Sequence, residues 1–266
     1  MLSAAADVWA SGDAYEPYIG RWSRPVAREF VAWLAAAPGA GWLDVGCGTG
    51  ALTEAILGAA APARVQAVDP SPGYVLYARG RVADRRAAFL VADARSLPQR
   101  GRSVDVAVSA LALNFIPRPD AALAEMARAV RAGGTVAAYV WDYADGMQLI
   151  RRFWDAAAAL DPGAAELDEA RRFPLCHPAA LEALFRGAGL RAVESRAIDV
   201  PTRFRDFDDY WRPFLGGQGP APGYAMGLGE ERRAELRERL RATLPAAADG
   251  SIELVARAWA VRGTRA

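Results

Sequence analysis

From residue 41 onward the chain alternates short apolar runs with longer stretches of helical pattern. GWLDV (41–45), VQAV (65–68), AFLV (88–91), VDVAVS (104–109) and TVAAYVW (135–141) are apolar at consecutive positions, not at every second one. Strands covered on both faces read this way. Between them, 51–60, 72–83 and 119–132 carry helical patterns, and the last is expected to stop at Gly133-Gly134 as at a C-cap glycine. A βαβ series of this kind predicts an α/β fold, a doubly wound and mostly parallel sheet with helices on both faces.

Beyond Trp141 the regularity loosens. Helices are expected over 147–160, 178–190 and 230–242, and late strands at RAVESRAIDV (191–200) and IELVARAWAV (252–261). Between the two strands lies TRFRDFDDYWRPFLGGQGPAPGY (202–224), dense in aromatics, glycine and proline, which reads as an insertion or lid. The late strands suggest an antiparallel edge added to the sheet, giving seven strands with the last antiparallel, plus a partial helical cap. With 266 residues and 53% hydrophobic content the chain can fill one large core. No internal repeat is visible.

Several function classes are disfavoured by composition. The net charge is +1 and every one of the 32 basic residues is arginine. No lysine is present for a Schiff base or a general base, and no positive excess supports nucleic-acid binding. Two cysteines, Cys47 and Cys176, and one histidine, His177, give neither a disulfide framework nor a zinc spacing, so no metal is expected. Without a long uncharged apolar run or a signal-like start, the expectation is a soluble cytoplasmic protein, monomer or homodimer, with no membrane insertion.

The chemistry concentrates in LDVGCGTG, residues 43–50, at the end of the first strand. Glycines at 46, 48 and 50 allow a tight turn whose backbone can touch a ligand with no Cβ in the way. In an open α/β sheet that loop lies where a nucleotide-like molecule binds. Gly46, Gly48 and Ala51 also satisfy the dinucleotide fingerprint, with Asp69 at the expected distance, so a nicotinamide-dependent oxidoreductase is one reading. Against it, Asp44 stands where dinucleotide strands carry a buried apolar residue, and a carboxylate there suits a cationic amino-acid end. Asp69, in AVDPS, is placed to accept from both hydroxyls of a ribose. Asp93, in VADARSLP, is placed to accept from an adenine amino group while the Ala94 N–H donates to the ring. Acidic residues at three successive strand ends describe an adenosine carrying a zwitterionic tail.

Taken in order, LDVGCGTG, AVDPS, VADARSLP, VDVAVSALALNF and ALAEMARAVRAGGTVAAYVW resemble the successive motifs of class I S-adenosylmethionine-dependent methyltransferases, strongly over residues 41–141. YEPYIGRWSRPVAREFVAWL, at 15–34, is similar to the leading helix of small-molecule and quinone-type members. The resemblance implies a Rossmann-like sheet divided into a helical segment over the cofactor site (1–40), a cofactor-binding core (41–145) and a remainder (146–266) with the insertion as substrate lid. One domain is expected overall. It further implies that Gly46, Cys47 and Gly48 line the methionine portion of S-adenosylmethionine, Asp69 holds the ribose, Pro70 covers an adenine face, and Asp93 and Ala94 sit at the adenine edge. Ala110 would offer its carbonyl to the cofactor amino group, and Tyr15 and Arg21 are candidates for the cofactor carboxylate.

The acceptor side is thinner. Asn114 is expected to border the methyl-transfer pocket, and His177 is a candidate general base by its ordinary pKa. Phe204, Phe207, Tyr210, Trp211 and Phe214 recur at spacings that suit one apolar helix face, able to clamp a planar substrate or to pack a core. The resulting expectation is methyl transfer to an unidentified small molecule, with S-adenosylhomocysteine as product. A non-catalytic S-adenosylmethionine-binding protein would retain the same motifs.

Overall fold

The computed structural model describes residues 16–216 and 219–266. The chain divides into two compact units. The larger takes in 23–141, 175–198 and 258–266; the smaller takes in the segment through Trp22, 142–174 and 199–257.

The larger unit is built on the expected sheet. Its strands are β1 (Gly41–Val45), β2 (Arg64–Asp69), β3 (Ala87–Val91), β4 (Val104–Ala110), β5 (Val130–Trp141), β6 (Arg191–Phe204) and β7 (Ile252–Thr264), the last two continuing into the smaller unit. Their order is β3-β2-β1-β4-β5-β7-β6. The β1–β2, β2–β3, β1–β4 and β4–β5 pairs are parallel, and β7 runs antiparallel to β5 from Thr135↔Thr264 to Trp141↔Ala258. The two late strands form the added edge that the sequence suggested: β7 lies between β5 and β6, and β6 is outermost.

Helices α1 (Arg21–Leu34), α2 (Ala51–Ala59), α3 (Pro72–Arg81) and α4 (Pro119–Ala129) connect or precede these strands. Helix α3 has the start its sequence announces, since Ser71 accepts from the Tyr74 N–H and Pro72 needs no donor at the first position. Leu43, Val45, Val68 and Val136 of the sheet are buried with Leu123 and Met126 of α4.

At the end of α4 the structure corrects the sequence. The helix stops at Ala129, because Val130 turns extended (φ −76°, ψ 141°) and pairs with Val104. The next pair is Val106↔Thr135, so the intervening residues bulge. Gly133 has φ +74°, and a Cβ on Gly134 would come within 2.5 Å of the Asp105 carbonyl oxygen. The glycine pair serves that close approach and does not cap the helix.

The smaller unit holds α5 (Gln148–Leu160) and the short α6 (Glu169–Arg172). In the larger unit, α7 (Pro178–Gly187) leads to β6 and adds Leu181 and Phe185 to the core. The aromatic insertion then forms α8 (Phe207–Trp211), a 3-10 turn (Arg212–Gly216) and α9 (Pro220–Gly227), followed by α10 (Glu230–Thr243). Asp206 caps α8 by accepting from the Asp209 N–H. Rings dominate this unit's interior: Phe153 stacks on Phe214 at 4.6 Å and 17°, and the buried Tyr210 hydroxyl donates to the Leu149 carbonyl at 3.0 Å. Burying a ring of this size contributes roughly 1.5–3 kcal/mol. Among the described residues no helix is long and apolar enough to cross a membrane.

Candidate functional site

The order of the sheet reverses between β1 and β4, the point at which α/β sheets bind ligands outside their carboxyl ends. Here Gly46, at φ +75°, donates its N–H to the Val68 carbonyl at 2.8 Å, and Cys47 donates to the same oxygen at 3.0 Å. A Cβ on Gly46 would approach the Ala112 methyl to 2.5 Å, so the loop after β1 abuts the turn after β4. Gly48 and Gly50 also have positive φ, at +51° and +89°. The space around Gly48 is open, whereas Gly50 is hemmed in by α3, with Val82 and Ala78 within 3.4 Å of a would-be Cβ.

Two carboxyl groups frame this loop. Asp44, on β1, is fully buried; its Oδ2 accepts from the Thr53 hydroxyl at 2.7 Å, and its Oδ1 has no partner. Burial, reinforced by Asp69 and opposed by the Thr53 hydrogen bond, pushes the Asp44 carboxyl up to about 7. A buried acceptor left unsatisfied costs ~1–3 kcal/mol, which a donor brought to Oδ1 would recover. Asp69 ends β2, and both its oxygens are held: Oδ1 accepts from the Ser71 N–H at 2.9 Å and Oδ2 from the Gly48 N–H at 3.0 Å. Burial raises its pKa while those two bonds oppose the rise. The carboxylate is thereby fixed in orientation, with a lone pair on each oxygen to spare.

Asp93 follows β3 as expected, but its carboxylate is exposed and taken up by Arg95, whose Nε and Nη2 reach it at 3.0 and 2.6 Å. The guanidinium holds this carboxyl down at about 2. Ala94 beside it is buried and Pro70 is exposed. Ala110 ends β4, and the next residue, Leu111, has φ +58°, a backbone state that costs a bulky side chain roughly 1–2 kcal/mol. Asn114 lies on the 3-10 turn Leu113–Phe115, where its Oδ1 is buried without a partner. Burial raises the Cys47 thiol further than Asp44 and Asp69 do, which leaves it protonated and not a nucleophile.

Other expected residues lie elsewhere. His177 precedes α7 with an exposed ring and makes no capping bond with its side chain. Tyr15 falls outside the described residues. In the smaller unit, Arg21 pairs with Asp209 at 3.2 Å and lies over the Trp22 and Phe204 rings at 4.4 and 4.7 Å. Its Nε and Nη2 are buried without acceptors, a donor set suited to a carboxylate. Phe204, Phe207, Tyr210, Trp211 and Phe214 are all buried, packed on one another and on Phe153, Tyr18 and Trp22.

Thr53, Ser71, Arg95 and Leu111 were not anticipated. Ser71 had a legible signal, a serine directly before proline at a helix start. The partners of Asp44 and Asp93 depend on side-chain reach, which carries no comparable sequence mark.

A family model described as a methyltransferase domain matches residues 43–138. The chain is similar to a malonyl-[acyl-carrier protein] O-methyltransferase of Hahella chejuensis, 30% identical over 207 residues, 70% of this chain and 74% of that one. It is also similar to the ubiquinone/menaquinone biosynthesis C-methyltransferase UbiE of Burkholderia vietnamiensis, 37% identical over 37% of this chain and 42% of that one. Among solved structures, a putative methyltransferase from an antibiotic biosynthesis pathway of Anabaena variabilis shares the fold at a TM-score of 0.62 and 19% identity, covering 91% of this chain and 99% of that one. A Haemonchus contortus phosphoethanolamine N-methyltransferase in complex with S-adenosyl-L-methionine shares it at 0.58 and 17%, covering 96% and 56%.

Proposed function

Because the chain belongs to the class I S-adenosylmethionine-dependent methyltransferases, we propose that the carboxyl ends of β1, β2 and β3 seat S-adenosylmethionine for transfer of its methyl group to a small-molecule acceptor. The observation that carries this assignment is Asp44 Oδ1, a buried acceptor with no partner beside an open glycine turn. A ligand ammonium satisfies it, and the gain of a cation draws the carboxyl from about 7 to full ionisation.

The remaining roles belong to the same proposal, those of Pro70 and Ala110 resting on the family resemblance. Asp69, its orientation fixed by the Gly48 and Ser71 N–H groups, offers one free lone pair per oxygen to the two ribose hydroxyls. Gly46, Cys47 and Gly48 give the amino-acid portion a surface of backbone, and the room around Gly48 admits it. Pro70 covers one adenine face, and Ala94 with Asp93 meets its edge once Arg95 yields. The Ala110 carbonyl accepts from the ammonium. When bound, the sulfonium supplies a methyl already activated for in-line attack, so alignment and exclusion of water are what the protein must add. Asn114 Oδ1, a second unsatisfied acceptor on the turn after β4, suits a hydroxyl or amide hydrogen of the acceptor.

The relatives' names point to an oxygen acceptor in one case and a carbon acceptor in the other. The test is calorimetric titration with S-adenosylmethionine, S-adenosylhomocysteine and, as control, reduced nicotinamide dinucleotide. Micromolar binding of the first two and none of the third is the expected result. Binding of the nicotinamide alone overturns the site assignment. Formation of S-adenosylhomocysteine over a panel of oxygen and carbon acceptors separates turnover from cofactor binding without catalysis.

A further inference from the structure

Thr53 is a residue to which the cofactor site gives no role. It is the third residue of α2 and fully buried, and its hydroxyl donates to Asp44 Oδ2 at 2.7 Å. A helical threonine can turn its hydroxyl onto a carbonyl of the preceding turn. Here the hydroxyl crosses to β1 instead. The helix has no side-chain cap of its own, because Gly50 stands at the N-cap with φ +89°. Asp44 serves the first turn from the preceding strand, held by the Thr53 hydroxyl and, more weakly, by the Thr53 N–H.

This bond divides the Asp44 carboxyl. Oδ2 is engaged within the protein and Oδ1 is left bare. Among the described residues, the groups that act on Asp44 besides burial are Thr53 and, at the end of β2, Asp69; neither is positive. The Cys47 thiol in the adjoining turn keeps its proton. A carboxyl in this setting retains a proton unless a donor favours its charged form, and Thr53 is the side chain that does so. With Oδ2 taken by a donor, that proton sits on Oδ1. A ligand ammonium that claims Oδ1 displaces the proton to solvent, and the carboxylate becomes its counter-ion.

We propose that Thr53 is a positioning residue for cofactor recognition, its hydroxyl holding Asp44 so that Oδ1 meets the ammonium of S-adenosylmethionine as an anionic acceptor. The proposal rests on the assignment of that ammonium to Asp44. Thr53 acts through Asp44 and not on the ligand, and it favours a ligand with a cationic amino-acid end over one that carries adenosine alone.

The test measures binding to the full chain, between pH 6 and pH 8, of S-adenosylhomocysteine and of 5′-methylthioadenosine, which keeps the adenosine and lacks the amino-acid end. In the parent, affinity for S-adenosylhomocysteine should rise with pH and level off above about 7, as Asp44 gives up its proton. Thr53→Val keeps the branched shape and removes the donor, which should move that transition up by about one unit. The loss of affinity is then about tenfold at pH 6 and about twofold at pH 8. Thr53→Ser, which keeps the hydroxyl, should behave as the parent does. 5′-Methylthioadenosine should bind all three proteins equally at each pH. A loss in Thr53→Val that is the same at both pH values, or that 5′-methylthioadenosine shares, marks a packing role and overturns the proposal, as does unchanged binding; these outcomes leave the ammonium assignment standing. Failure of S-adenosylhomocysteine to bind at either pH, or an Asp44→Asn variant that keeps the parent's pH dependence, overturns that assignment and the proposal with it.

Discussion

Asp44 and Glu169 are both buried carboxyl groups raised by loss of water, to about 7 and about 8, yet the two units surround them differently. Around Asp44 the structure is largely backbone: a glycine turn, the N–H groups that fix Asp69, and a single side-chain donor from Thr53. Around Glu169 it is side chains, an indole donor and a run of stacked rings. A backbone site tolerates almost any residue that leaves the turn intact, whereas a side-chain site depends on each ring keeping its volume.

The largest effects should come from the side-chain region. Phe214→Ala removes a fully buried ring stacked on Phe153 and should cost ~3–5 kcal/mol in chemical denaturation. Glu169 should also make stability fall with pH. Its folded-state pKa lies above its unfolded value, so its contribution is complete below about 4 and is lost as pH rises towards about 8. The stability of Glu169→Gln relative to the parent should thus grow with pH, approaching ~5 kcal/mol by pH 9 at ~1.4 kcal/mol per unit. A difference independent of pH would mean that Glu169 is ionised in the folded protein.

Effects on the backbone side should be smaller and appear in binding. Asp69→Ala should weaken S-adenosylmethionine affinity by ~1–3 kcal/mol while the protein stays folded. Unchanged affinity would remove Asp69 from the site. For Asp44 the readout is a proton. Near pH 6 the free carboxyl is largely protonated, so binding a cation should release most of one proton, and by pH 8 the release should fade because the group is already ionised. Calorimetry in buffers of different ionisation enthalpy measures it, and Asp44→Asn should abolish it. Smallest of all, Leu111→Gly should relieve the positive φ and shift stability by ~1 kcal/mol or less, once the greater freedom of glycine in the unfolded chain is set against that relief.

The same contrast explains what could be read from the residues alone. The run from β1 to β5 announced itself because buried parallel strands must be apolar throughout and their turns must be glycine or aspartate. Asp44, Gly46, Gly48 and Asp69 were legible for that reason. The end of α4 was not, because the helix pattern up to Ala132 gave way to a pairing with Val104 that lies 26 residues away in sequence. The late strands were legible as the added edge, though not that β6 and not β7 would lie outermost, since both carry the same alternation. Glu169 gave no sign at all: in LDEARRF it stands among charged neighbours, and only the three-dimensional course of α5 brings the Trp154 indole onto it.

Arg95 changes the meaning of Asp93. With its carboxylate already clasped by a guanidinium two residues away, any adenine amino group arriving there enters an exchange and not a vacancy. Affinity at that edge is then a difference between two contacts, and the arginine is a standing competitor supplied by the chain itself. Loss of an arginine ordinarily weakens the hold on a charged ligand; here Arg95→Ala should tighten it.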